Sequence, residues 1–213
     1  MRTDILDAAR KLDRLGLNQG QAGNLSLRAS PQSMFITPSG IAADKLGEND
    51  LVLIEFDGSV DPEQRRPSTE WCLHARVYEA RSDLKALVHT HSPYATALAC
   101  LEQELPAFHY MVALAGANQI PCSDYATFGS VALAEHCVKS LGTETRACLM
   151  AHHGLLAAGQ NLDEATDLAI GIEHLAKIYC IAKQIGQPKL LTEAQMRQVH
   201  ERMRGYGQSQ SGD

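Results

Sequence analysis

Residues 84–93 read Leu-Lys-Ala-Leu-Val-His-Thr-His-Ser-Pro, and the rest of the chain is most easily organised around them. Leu84 to His91 is a short apolar run of strand character. Ser92 followed by Pro93 places a helix cap and a first-turn proline directly behind it. The spacing predicts a strand that hands over at once to a helix. Side chains on a strand alternate between its faces, so His89 and His91 point to the same side and can share one metal ion.

Further strand-like runs lie on either side, at Asn24 to Arg28, Met34 to Thr37, Leu51 to Phe56 with an Asp57-Gly58 turn, and Ala147 to Ala151. Helical spacing links Ile5, Ala8, Ala9, Leu12 and Leu15 before Gly16 stops the run. A longer amphipathic helix starts at an Asn161 cap with Glu164 three residues on. It carries Ala165, Leu168, Ala169, Ile172, Leu175, Ala176 and Tyr179 on one face and ends at Gly186 and Pro188. Two more helices are expected, one capped by Ser68 or Thr69 and running to about Arg81, the other over roughly 130–141. Strand pairs come early and helices are interspersed later, which fits an α/β layered domain with a mixed sheet better than a regular doubly wound fold.

At 213 residues the chain has room for one domain with a sizeable core. Nineteen Lys and Arg against 25 Asp and Glu give a net charge of -6, the wrong sign for a protein held on nucleic acid by phosphate neutralisation. A membrane span needs about 20 nearly uninterrupted apolar residues. The best candidates, Ala95 to Leu101 and Met111 to Ala117, are far shorter. Asp4 and Asp7 interrupt the first apolar residues, so the N-terminus does not read as a signal peptide and a cytoplasmic location is expected. The six cysteines show neither C-x-x-C spacing nor the density of a secreted scaffold, and read mostly as buried small hydrophobes.

Nine histidines carry more information, because four fall in two tight groups, His89 with His91 and His152 with His153. A third nitrogen ligand beside His89 and His91 would complete the open three-histidine arrangement of catalytic zinc. His153, directly before Gly154, is a candidate. Glycine and short hydroxyl side chains cluster at Gly23-Asn24-Leu25-Ser26, Thr37-Pro38-Ser39-Gly40 and Pro67-Ser68-Thr69-Glu70. Backbone N–H groups and hydroxyls at such turns make a cradle for phosphate, although each cluster alone is equally a turn or a helix cap. Arg65 and Arg66 could offset the overall negative charge there. Glu70 reads either as a first-turn helix acid or as a carboxylate aimed at the metal, and spacing alone does not choose.

Together these residues resemble the class II aldolase/adducin family, in particular its L-fuculose-1-phosphate aldolase branch. The blocks that carry the resemblance are GNLSLR at 23–28, TPSG at 37–40, PSTEWCLH at 67–74, VHTHSPYATALA at 88–99, FHYMVALAGANQIPCSDYATFG at 108–129 and HHGLLAAG at 152–159. The resemblance implies a single α/β domain over residues 1–206, with a mixed, mainly antiparallel central sheet flanked by helices, followed by a flexible tail at 207–213. It implies a homotetramer with active sites between neighbouring subunits, and one Zn2+ per subunit held by His89, His91 and His153. The family's ligand is the histidine immediately before the glycine, which selects His153 over His152. Glu70 would be the catalytic acid/base and Tyr110 a proton donor supplied across the interface. Asn24, Ser39, Gly40, Ser68 and Thr69 would bind the substrate phosphate, with Phe128 and Tyr206 lining the aldehyde side.

The implied reaction is reversible cleavage of a ketose 1-phosphate to dihydroxyacetone phosphate and a small aldehyde such as lactaldehyde. Relatives on the same scaffold are 4-epimerases, dehydratases or decarboxylases of sugar phosphates, and the adducin heads keep the fold as non-catalytic interaction proteins. The epimerase branch carries aspartate at the position of Glu70, and adducin heads lack the complete metal set, so both fit less well than an aldolase.

Overall fold

The computed structural model describes residues 1–204; Tyr206 and the expected tail lie outside the described residues. The elements run α1 (Arg2–Arg14), β1 (Asn24–Arg28), β2 (Ser33–Ile36), β3 (Val52–Glu55), α2 (Trp71–Ala80), β4 (Ala86–Thr90), α3 (Pro93–Ala99), β5 (Cys122–Ser123), α4 (Val131–Leu141), β6 (Ala147–Met150), β7 (Gly154–Gly159), α5 (Leu162–Ile185) and α6 (Glu193–Met203). A 3-10 helix spans Tyr110–Ala115. The strands form one sheet in the order β3-β2-β1-β4-β7-β6-β5, antiparallel throughout except for the β5–β6 pair at one edge. The expected mixed, mainly antiparallel sheet is therefore present.

Both faces of the sheet are covered, which is why β6, β7 and the first half of β4 are apolar without interruption. On one face α1, α3 and α5 pack over Leu25, Ala86, Val88, Leu149, Leu155 and Ala157. On the other, α2 and α4 pack over Ile36, Leu87, Cys148, Met150, Leu156 and Ala158. The alternation along β4 thus sends Ala86 and Val88 one way and Leu87 the other. His89 continues the series of Leu87, toward the side of α2.

The long helix forms as its pattern predicts. Asn161 Oδ1 accepts a hydrogen bond from Glu164 N at 2.8 Å, and all seven residues of the apolar series are buried. Losing such a cap costs about 0.5–2 kcal/mol. Glu164 departs from a reciprocal capping box, since its carboxylate accepts from Gln160 N rather than from Asn161 N. Glu173, midway along α5, accepts hydrogen bonds from Tyr94 N and Ala95 N, both at 2.9 Å. It thereby satisfies the open N–H groups at the start of α3.

Several local expectations are corrected. The helix after Pro67 begins at Trp71, with Glu70 in the cap position and no side-chain cap bond, so neither Ser68 nor Thr69 caps it. Ser68 Oγ instead accepts from Glu70 N at 3.3 Å. Leu15 falls beyond the last turn of α1 and is exposed, while Leu17 is buried in its place. Only Cys137 and Cys148 of the six unbridged cysteines are fully buried; Cys72, Cys122 and Cys180 are half-buried and Cys100 is exposed. Arg65 pairs with Asp50 at 3.0 Å, away from the hydroxyl clusters.

Candidate active site

The three histidines come together at the ends of two neighbouring strands. His89 is the fourth residue of β4, His91 lies one residue past its end, and His153 sits in the turn joining β6 to β7. Gly154, just behind His153, is required by close approach: a Cβ there would lie 2.3 Å from Thr90 O. Their ligand nitrogens all lie within 4.8 Å of one another. His152, by contrast, adopts φ 55° and directs its ring to Glu102 instead of to the other histidines, with Nε2 to Oε1 at 3.2 Å.

The imidazoles are disposed as metal ligands. His89 Nδ1 lies 2.9 Å from Leu155 O, and since a carbonyl only accepts, Nδ1 carries the proton and Nε2 carries the lone pair. That lone pair faces His91 Nε2 at 3.0 Å and Glu70 Oε2 at 3.3 Å. His153 Nε2 lies 3.3 Å from Glu70 Oε1. Burial pushes the pKa of His89 well below the ordinary imidazole value, and the neighbouring rings push it further. Burial likewise lowers His91 and His153. Neutral nitrogens and a carboxylate that converge acceptor against acceptor form a donor set suited to a divalent cation.

Glu70 is 6% exposed and is placed by two other elements. Asn24, the first residue of β1, pairs in register with His89 of β4 and donates from Nδ2 to Glu70 Oε2 at 2.8 Å. Glu70 Oε1 has no hydrogen-bond partner among the described residues. Behind Asn24 lies a buried polar chain: Asn24 Oδ1 is 2.5 Å from His74 Nε2, His74 Nδ1 is 2.6 Å from Ser26 Oγ, and Ser26 Oγ is 2.9 Å from Tyr78 OH. Complete burial pushes the His74 pKa down to about 3, so this ring is neutral.

The hydroxyl and glycine clusters are laced together by backbone. Pro38 and Pro67 form an antiparallel bridge, with Ser39 N donating to Arg66 O at 3.0 Å and Ser68 N to Thr37 O at 3.1 Å. As a result Asn24, Ser39, Gly40, Ser68, Thr69, Glu70, His91, His153 and Phe128 line one cavity of about 340 Å³. Phe128 is 66% exposed at this cavity rather than packed in the core. Tyr110 does not line it. It begins the 3-10 helix, stacks on His109 at 4.8 Å between ring centroids and is 52% exposed. Tyr125 and His152 also line the cavity, and neither was singled out as a site residue from the sequence.

The model of the Class II Aldolase and Adducin N-terminal domain matches residues 3–180. The chain belongs to this family. A protein of Rhodospirillum rubrum named 5-methylthioribulose-1-phosphate/5-deoxyribulose-1-phosphate aldolase is 45% identical over 97% of this chain and 92% of its own. The L-fuculose phosphate aldolase of Escherichia coli K12 is 42% identical, over 95% and 94%. A solved structure of L-fuculose 1-phosphate aldolase superposes with a TM-score of 0.90 at 40% identity, covering 95% of each chain. The protein is a class II aldolase of the fuculose-phosphate aldolase type, and so a lyase. Class II aldolases are metal-dependent, and the three-histidine centre of this aldolase is where its residues fit a metal.

Proposed function

We propose that this aldolase uses zinc to cleave a ketose 1-phosphate reversibly between C3 and C4, giving dihydroxyacetone phosphate and a small aldehyde. The observation that carries the reading is the convergence of His89, His91 and His153 with the buried Glu70 beside a cavity lined by neutral phosphate donors. His89, His91 and His153 would hold the metal. When bound, zinc supplies a Lewis acid that lowers the cost of negative charge on the ketone oxygen.

In the synthetic direction Glu70 takes the proton from C3 of dihydroxyacetone phosphate, and the electron pair left on carbon spreads onto the ketone oxygen. That carbon attacks the aldehyde, and Tyr110, contributed by a neighbouring subunit of a ring-shaped tetramer, protonates the oxygen that becomes the C4 hydroxyl. Cleavage reverses each step. Asn24, Ser39, Gly40, Ser68 and Thr69 hold the phosphate through N–H and O–H donors. Phe128 faces the far end of the sugar; Tyr206, to which the family resemblance gives the same role, lies outside the described residues.

The substrates named for the R. rubrum and E. coli relatives share the C1 phosphate and an apolar tail, a methyl or methylthio group. We place the substrate of this chain in that class, with L-fuculose 1-phosphate, 5-deoxyribulose 1-phosphate and 5-methylthioribulose 1-phosphate as the panel to assay for release of dihydroxyacetone phosphate.

The decisive variant is Glu70→Gln, which keeps size and polarity but cannot accept the proton. It is expected to stay folded, keep its metal and lose about 100-fold or more in exchange of the dihydroxyacetone phosphate proton with solvent. Wild-type exchange in that variant would remove Glu70 from the chemistry.

A further inference from the structure

The polar chain behind Glu70 admits only one direction of donation. A carboxylate oxygen accepts, so the Asn24 atom 2.8 Å from Glu70 Oε2 must be the amide nitrogen. The other amide atom is then the oxygen, which also only accepts, so His74 Nε2 must carry a proton. His74 is neutral and fully buried. Its Nδ1 is therefore the acceptor, and Ser26 Oγ must donate to it. Tyr78 OH, which reaches Ser26 Oγ, Ser26 O and Lys85 O, closes the chain at the far side of β1.

Reversing the Asn24 amide would set an oxygen against Glu70 Oε2 and an NH2 against a protonated nitrogen, two repulsive contacts in a buried site. The elements that hold the chain are rigid and adjacent. Asn24 and Ser26 are alternate residues of β1 and so share a face, while Glu70, His74 and Tyr78 recur at four-residue intervals from the cap of α2 along one side of it.

We propose that His74 is a positioning residue of this aldolase, its Nε2–H fixing the Asn24 amide so that an N–H faces Glu70 Oε2 and Oε1 is left as the oxygen that meets the substrate proton. This rests on the assignment of Glu70 as the base; the orientation of Asn24 itself does not. Ser26 and Tyr78 act one and two contacts further back, by fixing the tautomer of His74.

The tautomer is read by 15N NMR on the metal-loaded protein labelled at histidine, with His74→Gln used to assign the His74 signals. A proton on Nε2 and a bare Nδ1 are expected. A proton on Nδ1 alone, or an imidazolium at neutral pH, would overturn the proposal. His74→Phe, which fills the space without donating, is expected to retain metal and to lower kcat for proton exchange about 10- to 100-fold, the range seen when a supporting contact of a catalytic site is lost. His74→Gln, whose amide can donate in place of Nε2–H, is expected to recover most of that loss. A folded, metal-loaded His74→Phe protein with wild-type kcat would overturn the proposal. Should His74→Phe fail to fold, Ser26→Ala takes its place: loss of the Nε2–H tautomer with lowered kcat supports the chain, and an unchanged tautomer and kcat count against it. Wild-type protein that exchanges no proton would overturn the aldolase reading instead, because the tautomer is measured without substrate.

Discussion

His89 and Glu70 of the histidine–glutamate centre and the aromatic residues Tyr110 and Phe128 stand at opposite extremes of solvent contact, while His91 of the same centre is exposed. His89 is fully buried and Glu70 is 6% exposed, whereas Tyr110 and Phe128 are 52% and 66% exposed. In the centre two groups are held by other elements of the same chain: Leu155 O orients His89, and Asn24 orients Glu70. Tyr110, by contrast, stacks on the neighbouring His109 and has no side-chain hydrogen bond among the described residues. Groups that work on charge are thus fixed before substrate arrives, where a low dielectric makes each contact count. Tyr110 and Phe128 are instead presented on the surface, with half or more of each side chain open to solvent.

The largest expected effect breaks the histidine centre, at its exposed member. His91→Ala is expected to fall from near one divalent metal per chain to well below it and to lose activity, while His152→Ala, whose ring faces Glu102, keeps both. Metal analysis of the two purified variants checks this, and the opposite pattern would show that the wrong histidine of the pair was assigned. Next comes the exposed side. Tyr110→Phe should lower cleavage of the ketose phosphate about 100-fold and leave proton exchange of dihydroxyacetone phosphate within about 2-fold of wild type. Equal loss in both assays would place Tyr110 in the first half-reaction and erase the division between the two regions.

A smaller effect is expected at the phosphate cradle between them. Thr69→Ala should weaken binding of the phosphorylated ketose by about 1–3 kcal/mol, seen as a raised KM with kcat little changed. The smallest effect at neutral pH concerns His74. Its pKa is about 3 in the folded protein against the ordinary value of 6.5, so between those values the unfolded chain binds a proton that the folded one does not. Stability must then fall as pH falls through that window, by up to about 1.4 kcal/mol per pH unit from this group. Urea unfolding at a series of pH values should show a shallower acid loss for His74→Gln than for wild type, with no difference in slope above pH 7.

The parts of the molecule that were legible in the sequence are those whose signal is local. The seven apolar positions of α5 and its Asn161 cap specify that helix without help from the rest of the chain. The H-x-H pair at the end of β4 needs only extended-chain alternation to bring two histidines together. What escaped reading depends on partners distant in the chain. β5 has two residues, β7 is the short run Gly154–Gly159 immediately after the histidine turn, and α6 buries only Met196, too little for an apolar stripe. His74 carries no local signal of its contacts, because its partners Asn24 and Ser26 lie some 50 residues away on β1. Its spacing of four from Glu70 was the available clue. Helix spacing likewise carries no sign that Asn24 of β1 and His89 of β4 lie against the Glu70 carboxylate.

The carboxylate of Glu173 gives the assembly an order in time. It closes the start of α3, the helix that follows His91 and Ser92, from a position well beyond the last ligand, His153. A growing chain that has just completed its histidines therefore still lacks the contact that seats the segment behind His91. Contacts so far apart in sequence form only after the intervening loop is closed. The segment behind His91 is accordingly seated by a helix that follows all three histidines of the centre in sequence.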